Sequence, residues 1–563
     1  MKVLRANLET GTVHYEDVPE NWQRYGGRAL TARFLLDEVP PTCDPLGPYN
    51  KLIWAPGLLV GHMLSSIDRI SIGGKSPLTG GVKEANAGGT TALRMAWLRL
   101  FALVIEGSPP SDGSWKLLIV DKDDARFEPA GDLVGLGLEA TGERLRERFG
   151  DKVAVSAIGP SGERLYLAAG IAHMDNDRHL TRISARGGLG ALMGSKRLKA
   201  VVFDHPEANR PDVVEPELFK AASKRYIKAL QEHPMTSMNY PIYGTAGMVN
   251  LCNTVGGVPT HNFSAGRFEG AEAISGETIH DLNKSRGGNT THACMPGCII
   301  KCSNIFAGAD GEDIVSPLEY ETIGMMGSNL GIDDPDVIAR LNAVANDLGI
   351  DTIDTGAALG VAAEAGLMEF GDGQRALELM EEIRKDTPLG RILGNGAALA
   401  GQVFGVTRIP VVKRQAMGAY DPRAVKGTGV TYAISPQGAD HTSGLTIRTE
   451  VDHTDPAGQV DLSRSSQYKS ASLDSLGACA FSGFGLAADM VRDLVNARYG
   501  WNVSEDYLFE LGRESILMER EFNQRAGFTS ADDRIPEWMT YEKLSPIDTA
   551  FDVPQEEIDT IFD

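Results

Sequence analysis

Four of the six cysteines in this 563-residue chain follow a pattern that is typical of ligands to a metal cluster. Cys294, Cys298 and Cys302 recur at every fourth position, and Cys479 lies far downstream. A compact group of thiolates completed by a remote one is a common way to hold a four-iron cluster. Since the last ligand comes from a distant part of the chain, a cluster bound here must lie inside the fold. The pattern therefore predicts a buried [4Fe–4S] cluster that carries electrons.

Two alternatives to the iron–sulfur interpretation stay open at this point. The first is a structural zinc site that could recruit His292, although zinc ligands usually come in pairs with two residues between them. The second is a set of inert, buried thiols. Pro296 and Gly297 lie inside the triplet, so we expect a loop there and not a regular helix.

Charge and composition exclude several other classes of protein. The chain has 54 Lys and Arg against 76 Asp and Glu, a net charge of −22, which makes it a poor candidate for binding nucleic acid. No run of about 18 apolar residues predicts a membrane span. The first residues lack the apolar segment of a signal peptide, and the few, clustered cysteines argue against a disulfide framework. We therefore expect a cytoplasmic protein.

The organisation of the chain changes near residues 205–212, a polar segment with two prolines that is the best linker candidate. Short β-branched and aromatic runs between turn residues precede it. Helical patterns follow it, near residues 335–348, 354–370, 374–385, 484–499 and 503–526, with a second break near residues 405–410. The expected fold class is α+β: a β-rich domain followed by two mostly helical ones. Its predicted domains are 1–207, 212–409 with the cysteine triplet, and 410–563 with Cys479. The expected strands include residues 51–54, 69–72, 115–120, 164–167 and 199–203.

Two glycine-rich segments fall short of nucleotide-binding motifs. Residues 73–76 look like the end of a P-loop, but Arg69 occupies the position that needs the first glycine. Residues 187–194 are one residue too long for the dinucleotide fingerprint. Each segment could either cradle an anionic cofactor through backbone N–H groups or simply form a tight turn.

Several segments together make the chain similar to the tungsten-containing aldehyde:ferredoxin oxidoreductases, in the same order and over nearly the whole length. They are residues 26–28, 75–80, 86–89, 182–190, 346–352 and 474–479. The resemblance implies a bis-pyranopterin centre of tungsten, or in some members molybdenum, beside one [4Fe–4S] cluster at the domain interface. The three-residue gaps of the cysteine triplet differ from the two-then-three gaps of the best-known members. They look more like a less-characterised branch, which leaves the substrate less defined than the cluster.

The resemblance also implies a set of pterin-binding residues. Two of them depart from the usual pattern, because Asn346 stands where the family has Asp and Ala478 stands where it has Leu. Arg182 and Arg186 compete for one phosphate-contacting position. A Mg²⁺ bridging the pterin phosphates is part of the same expectation. The predicted cofactor-binding residues are Arg69, Asn86, Gly88, Arg182, Arg186, Asn346, Gly349, Thr352, Asp474 and Ala478.

Family active sites have a Glu and a His beside the metal, and the similar residues here are Glu321 and His441. Glu319 stays open as the alternative carboxylate, and Asp440 could orient the histidine. No Glu and His near residues 338–345 match the pair that holds a bridging iron in the archetypal dimer, so neither that iron nor that dimer is expected. A homo-oligomer of another kind stays open.

The expected function is oxidation of a small-molecule aldehyde to a carboxylic acid, with electrons passing through the cluster to a ferredoxin or an iron–sulfur subunit. One alternative is a low-potential reductase of an activated aromatic or acid substrate, as in the class II benzoyl-coenzyme A reductase branch. Another is a scaffold that has lost the cofactor and is stabilised by zinc. We expect the loop-rich segment 239–268, with Tyr240 and Tyr243, to form a wall of the substrate pocket.

Overall fold

The computed structural model describes residues 1–205 and 207–563, and two six-stranded sheets make up its N-terminal part. The first sheet contains β1 (Lys2–Asn7), β2 (Thr12–Asp17), β3 (Leu52–Pro56), β4 (Ile70–Lys75), β5 (Val82–Ala87) and β6 (Leu100–Glu106). The second contains β7 (Lys116–Asp121), β8 (Ala125–Pro129), β9 (Ala154–Ala157), β10 (Ile171–Met174), β11 (Leu180–Ser184) and β12 (Leu198–Asp204). Helices α1 (Gly27–Glu38), α2 (Thr91–Trp97), α3 (Leu138–Phe149), α4 (Pro160–Glu163) and α5 (Leu189–Ser195) connect the strands.

The two sheets are copies of one topology. Their strand orders are β2-β1-β6-β3-β4-β5 and β8-β7-β12-β9-β10-β11, so each position advances by six strands. In each sheet the first and sixth strands pair in parallel and the other neighbours pair antiparallel. The sheets share one hydrophobic core, in which Trp54, Ile72, Val155 and Val201 are buried. This internal repeat leaves the equivalent strands β5 and β11 at an edge of each sheet.

Helices dominate the rest of the chain. They are α6 (Pro216–Glu232), α7 (Tyr240–Tyr243), α8 (Met248–Val255), α9 (Gly276–Ser285), α10 (Tyr320–Met326), α11 (Pro335–Leu348), α12 (Thr352–Glu364), α13 (Gly373–Arg384), α14 (Pro388–Gly394), α15 (Ala397–Phe404), α16 (Lys426–Ile434), α17 (Gln459–Leu476), α18 (Ala488–Tyr499), α19 (Tyr507–Arg525), α20 (Trp538–Tyr541) and α21 (Gln555–Asp559). Short strands β13 (Asn289–His292), β14 (Ser303–Ala307) and β15 (Asp313–Val315) form a small sheet, and β16 (Val411–Val412) pairs with β17 (Gln415–Ala416). The predicted fold class is confirmed, whereas the domain boundaries stay predictions.

Local signals explain where the helices next to the cavity begin and end. The side chain of Asp334 accepts hydrogen bonds from the first turn of α11, with Pro335 as the first helical residue. Gly349 ends α11 at a φ of 69°, a conformation that favours glycine. Asp351 then caps α12 in the same way. Gly349, which ends α11, and Asp351, which caps α12, define the short loop of residues 349–351.

The C-terminal helices pack back onto the N-terminal part. Helix α1 lies against α17 and α19, and its fully buried Arg28 makes two hydrogen bonds of 2.8 and 2.9 Å to the Glu519 carboxylate. This ion pair couples the first and last thirds of the chain around the cavity.

Two sequence expectations differ from the structure. Residues 164–167, predicted as a strand, form the turn after α4, where Leu165 has a φ of 61°. The helix expected over residues 354–370 ends at Glu364, because Gly366 lies in the left-handed region. Among the described residues, none of the helices combines the length and the apolar character that crossing a membrane requires.

Candidate functional site

A cavity of about 590 Å³ lies where the two sheet edges meet the helical part of the chain. Strands β5 and β11 contribute residues 84–87 and 181–183 to its wall. The loops around α10 and α12 and the segment from His441 to Cys479 complete the wall. Residues from all three predicted domains therefore surround one space.

The four cysteines of the sequence pattern meet at one end of this cavity. Cys294, Cys298 and Cys302 lie on the non-helical loop between β13 and β14, and together with Cys479 they belong to one hydrophobic cluster. Cys298 is buried behind the wall, with its Sγ 3.3 Å from the Ser66 hydroxyl, whereas the other three line the cavity. Across the described residues, no three His, Cys, Asp or Glu side chains are arranged to hold a single metal ion.

Cys479 is held by backbone contacts between its loop and the segment before β4. Four hydrogen bonds join the two segments: Leu58 N to Ser475 O, Leu59 N to Leu476 O, Arg69 N to Gly477 O and Cys479 N to Ser66 O, at 2.8–3.0 Å. The backbones approach so closely that a Cβ on Gly57 would lie 1.9 Å from Gly477 N. The remote cysteine is therefore fixed against the N-terminal domain.

Gly88 separates the cysteine loop from the rest of the cavity. A Cβ at this position would lie 3.2 Å from both the backbone oxygen and the Sγ of Cys294. Next to it, Arg69 donates a hydrogen bond of 3.1 Å to the Asn86 carbonyl and a second one to the Asn86 side chain. Arg69, Asn86 and Gly88 thus form a continuous surface beside the cysteines.

Arg182 and Arg186 both reach the cavity, but they are engaged differently. Arg182 donates to the Ser303 hydroxyl and to His292 Nδ1 at 2.9 and 3.0 Å, and its buried Nε has no partner. Arg186 donates to Asp351, to the Ala439 carbonyl and to the Ala416 carbonyl, so each of its nitrogens is used. Of these two arginines, Arg182 is therefore the one with an unused hydrogen-bond donor.

Three of the sequence-predicted residues lie where α11 ends and α12 begins. Asn346 lines the cavity and its amide lies 3.4 Å from the Ser316 carbonyl. Thr352 also lines it, with its hydroxyl 2.9 Å from that of Thr322. Gly349 lies off the wall and packs against the Gly159 backbone.

The last two predicted residues, Asp474 and Ala478, lie just behind the cavity wall. Ala478 is fully buried. Burial raises the pKa of Asp474 to about 6, against the opposing effect of Arg28, which lies 3.5 Å away. Beside Asp474, burial raises the pKa of Glu84 to about 8, and Glu84 Oε1 has no hydrogen-bond partner.

Glu84 is a residue that the sequence analysis missed. Because side chains alternate along a strand, Glu84 shares a face of β5 with Asn86, and the run continues to Gly88. The two-residue spacing between Glu84 and Asn86 on β5 was the sequence signal that could have identified Glu84.

Glu321 and His441 face each other across the cavity. Glu321 Oε2 accepts a hydrogen bond of 2.7 Å from Ala419 N, and its Oε1 lies 3.4 Å from His441 Nε2. Both Glu321 Oε1 and His441 Nδ1 lack a hydrogen-bond partner. Glu319 also lines the cavity, but it accepts a hydrogen bond from the Thr245 hydroxyl and lies near Cys302. The two glutamates diverge because α10 begins between them, at Tyr320.

Asp440 precedes His441 in the chain, but its carboxylate is held by two cations. It accepts a hydrogen bond of 2.5 Å from the fully buried Lys83 and lies 3.6 Å from Arg186. Burial opposes ionisation of Asp440, but these two cations hold its pKa well below its usual value. Asp440 Oδ1 is 3.9 Å from His441 Nδ1, so Asp440 orients the backbone of this segment more than the imidazole ring.

Tyr240, Thr245 and Met248 of the expected pocket segment line the cavity. Tyr240 stacks on Phe481 with ring centres 4.2 Å apart. Tyr243 does not reach the cavity wall, and its ring packs edge-on against His280. Part of the expected segment therefore contributes to the pocket.

Comparisons with known proteins show similarity over nearly the whole chain. The family model described as aldehyde ferredoxin oxidoreductase, N-terminal domain, matches residues 3–205, and the model for domains 2 and 3 matches residues 221–561. The tungsten-containing aldehyde ferredoxin oxidoreductase of Thermococcus kodakarensis is 33% identical, over 96% of this chain and 92% of that protein. The enzyme of the same name from Pyrococcus furiosus is 32% identical over the same shares.

More distant likenesses point to the same fold. The aliphatic sulfonate oxidoreductase, WOR-like subunit, of Pyrococcus furiosus is 27% identical over 92% of this chain and 85% of that protein. A solved structure of the benzoyl coenzyme A reductase active-site complex with 1,5-dienoyl-CoA superposes with a TM-score of 0.80, at 20% identity, over 95% of this chain and 90% of that one. At that identity the structural likeness concerns the fold alone. The two family models and the relatives above 30% identity show that this chain belongs to the aldehyde ferredoxin oxidoreductase family, a family of oxidoreductases.

Proposed function

We propose that this protein oxidises aldehydes to carboxylic acids with a tungsten or molybdenum bis-pyranopterin and passes the electrons through one [4Fe–4S] cluster to a ferredoxin or an iron–sulfur subunit. The reaction consumes an aldehyde and a water and releases a carboxylic acid, two protons and two electrons. The observation that carries the proposal is the meeting of the Glu321–His441 pair, the arginine-lined wall and three of the four cysteines in one cavity. Aldehyde oxidation is also the activity named in the most similar relatives cited above.

The residues around the cavity fit a large anionic cofactor with amide-like ring edges. Arg69 and Arg182 would bind the pterin phosphates, because guanidinium groups suit phosphate and Arg182 Nε is buried without a partner. Asp474 and the unpartnered Oε1 of Glu84 would accept hydrogen bonds from pterin N–H groups. The other predicted residues that we assign to cofactor binding are Asn86, Gly88, Arg186, Asn346, Gly349, Thr352 and Ala478. A Mg²⁺ between the phosphates is part of the proposal. When bound, the tungsten centre would supply the two-electron oxidation.

Glu321 is the proposed general base. Its Oε1 has no hydrogen-bond donor of its own, while the bond from Ala419 N fixes the other oxygen and so the direction of the carboxylate. A hydroxyl of an aldehyde hydrate beside Oε1 could lose its proton there. His441, 3.4 Å away, would hold the same hydroxyl or take the proton onward.

The cysteine loop is also the proposed exit for electrons. Ile299 is 38% exposed, and Lys301 is exposed between two of the cysteines, so a cluster on this loop would lie close to the surface. A small iron–sulfur protein could approach it there without entering the cavity.

Activity of the anaerobically purified enzyme with a panel of aldehydes and a viologen dye tests the proposal. Glu321→Gln should lower kcat by roughly 10²- to 10⁴-fold, the usual effect of a general base. Iron and tungsten content should not change. Glu319→Gln is the matched control and should lower kcat far less, since Glu319 faces Thr245.

Two outcomes would overturn the proposal. One is a metal-loaded enzyme that oxidises no aldehyde in the panel. The other is equal loss of activity in the two glutamate variants. Reduction of an aryl thioester by a low-potential reductant, without aldehyde oxidation, would favour the reductase alternative.

A further inference from the structure

We infer that Arg448, supported by Lys469 at the mouth of the cavity, is a specificity-determining residue that binds an anionic group of the substrate. The preferred substrates would then be aldehydes that carry a second, negatively charged group, such as a carboxylate. This inference rests on the proposed function, because it concerns which aldehydes enter the cavity.

Arg448 lies in the cavity wall without a counter-ion. Its guanidinium contacts the thioethers of Met235 and Met248 and lies 5.1 Å from the centre of the Tyr240 ring. A thioether is a weak acceptor, so these contacts leave most of the donors of Arg448 unused. Over residues 1–205 and 207–563, no Asp or Glu oxygen lies within 4.0 Å of its nitrogens.

The other arginines of the cavity wall have defined partners. Arg186 binds Asp351 and lies near Asp440, and Arg182 lies 3.8 Å from Asp175. Arg69 is held by Asn86 and lies next to Cys294 and Cys479, where the cluster and the pterin phosphates are proposed to bind. Among the described residues, Arg448 is thus a cavity arginine whose charge no carboxylate balances.

Arg448 lines the same cavity as the acid–base pair Glu321 and His441. The ring of Tyr420 lies 6.0 Å from that of His441. Burial and the negative charge of Glu321 raise the pKa of Tyr420, whereas the positive charge of Arg448 lowers it. Tyr420, Glu321, His441 and Arg448 all line the same cavity. A substrate with its aldehyde at Glu321 would extend along Tyr420 toward the guanidinium.

Lys469 adds a second positive charge at the entrance. Lys469 lines the cavity and is exposed, and its ammonium donates a hydrogen bond of 3.2 Å to the Gly483 carbonyl. In a chain with a net charge of −22, two cations without an acidic partner at one opening would attract anions locally. A guanidinium fork matches the two oxygens of a carboxylate.

Matched substrate pairs test the inference in the holoenzyme. Butanal is compared with succinic semialdehyde, and pentanal with glutaric semialdehyde, since in each pair a carboxylate replaces the terminal methyl group. The native enzyme should have a kcat/KM at least roughly 10-fold higher for the anionic member, from a lower KM, as expected for a hydrogen bond to a charged group. Added salt should reduce the preference.

Variants separate specificity from a structural role. Arg448→Gln should raise KM for the semialdehydes by roughly 10- to 100-fold and leave kcat/KM for the neutral aldehydes within about 2-fold. Arg448→Lys should restore part of the preference. Arg340→Gln, which removes a charge from the exposed face of α11, is the control and should change neither.

The outcomes distinguish this inference from the proposed function. Oxidation of neutral aldehydes without a preference for semialdehydes, or equal losses for both members of a pair in Arg448→Gln, would overturn the inference alone. If no aldehyde is oxidised, the proposed function fails, and calorimetry with succinate then decides about the subsite. Succinate binding that Arg448→Gln weakens by roughly 10-fold or more would support the subsite, whereas no binding or unchanged binding would overturn it.

Discussion

Replacing Gly57 by alanine tests how Cys479 is held in place. The added Cβ would lie 1.9 Å from Gly477 N and 2.2 Å from the Leu476 carbonyl carbon, and both are backbone atoms that cannot rotate away. Gly57 itself has no left-handed φ, so the substitution introduces a steric clash without backbone strain of its own.

The cost follows from what has to move. Overpacking a tight contact costs about 1–3 kcal/mol. If the loop with Gly477 shifts to relieve the clash, it loses up to four backbone hydrogen bonds to the segment before β4, each contributing about 1 kcal/mol. We therefore expect a loss of about 3–6 kcal/mol and a displaced Cys479. A cluster that depends on this thiolate would lose iron.

The assay combines iron analysis of anaerobically purified protein with its thermal unfolding. Gly57→Ala should contain less than half of the native iron and unfold at a lower temperature. Gly131→Ala is the matched control, because a Cβ there meets no atom within 4 Å. Native iron content and an unchanged unfolding midpoint in Gly57→Ala would refute the argument that this close contact fixes the fourth ligand.

Three further predictions concern buried charges and the cysteines. Burial raises the pKa of Asp68 to about 8, so the folded protein keeps a proton that the unfolded chain loses near pH 4. The free energy of unfolding should therefore fall as the pH rises from about 4 to about 8, by at most about 1.4 kcal/mol per pH unit. Guanidinium titrations at pH 5 and pH 8 should show a smaller difference for Asp68→Asn than for the native protein, and equal differences would contradict the assignment. Arg28→Met should cost about 3–5 kcal/mol in denaturant titrations by leaving Glu519 charged and unpaired, and replacing both residues by Met should recover much of it. Cys479→Ser should lose iron in metal analysis and Cys252→Ser should not, because Cys252 is buried apart from the other cysteines; equal iron in both variants would count against the ligand assignment.

The features that the sequence predicted well are those with local signals. The helical pattern over residues 335–348 coincides with α11, because Asp334, Pro335 and Gly349 mark its ends. The change from strands to helices near residues 205–212 is likewise visible in composition and turn residues. The cysteine loop was expected from Pro296 and Gly297.

The features that were missed or left open depend on tertiary structure. The repeat of the two sheets is hard to see in the sequence, because the connections from the second to the third strand, residues 18–51 and 130–153, differ in length. The choice between Glu319 and Glu321 depended on whether their segment is extended, and the start of α10 at Tyr320 turns the two side chains apart. The unpaired charge of Arg448 becomes visible once its neighbours are known. The roles of the predicted site residues stay predictions.

Elemental analysis of the anaerobically purified protein for tungsten, molybdenum, iron and zinc shows directly whether the cavity holds a metal–pterin centre. About four irons and about one tungsten or molybdenum per chain are expected for one [4Fe–4S] cluster beside one such centre. Zinc alone, without a heavier metal, would contradict this expectation and favour the zinc-stabilised scaffold. Iron without tungsten or molybdenum would contradict the claim that the cavity holds a metal–pterin centre and leave the cluster in place.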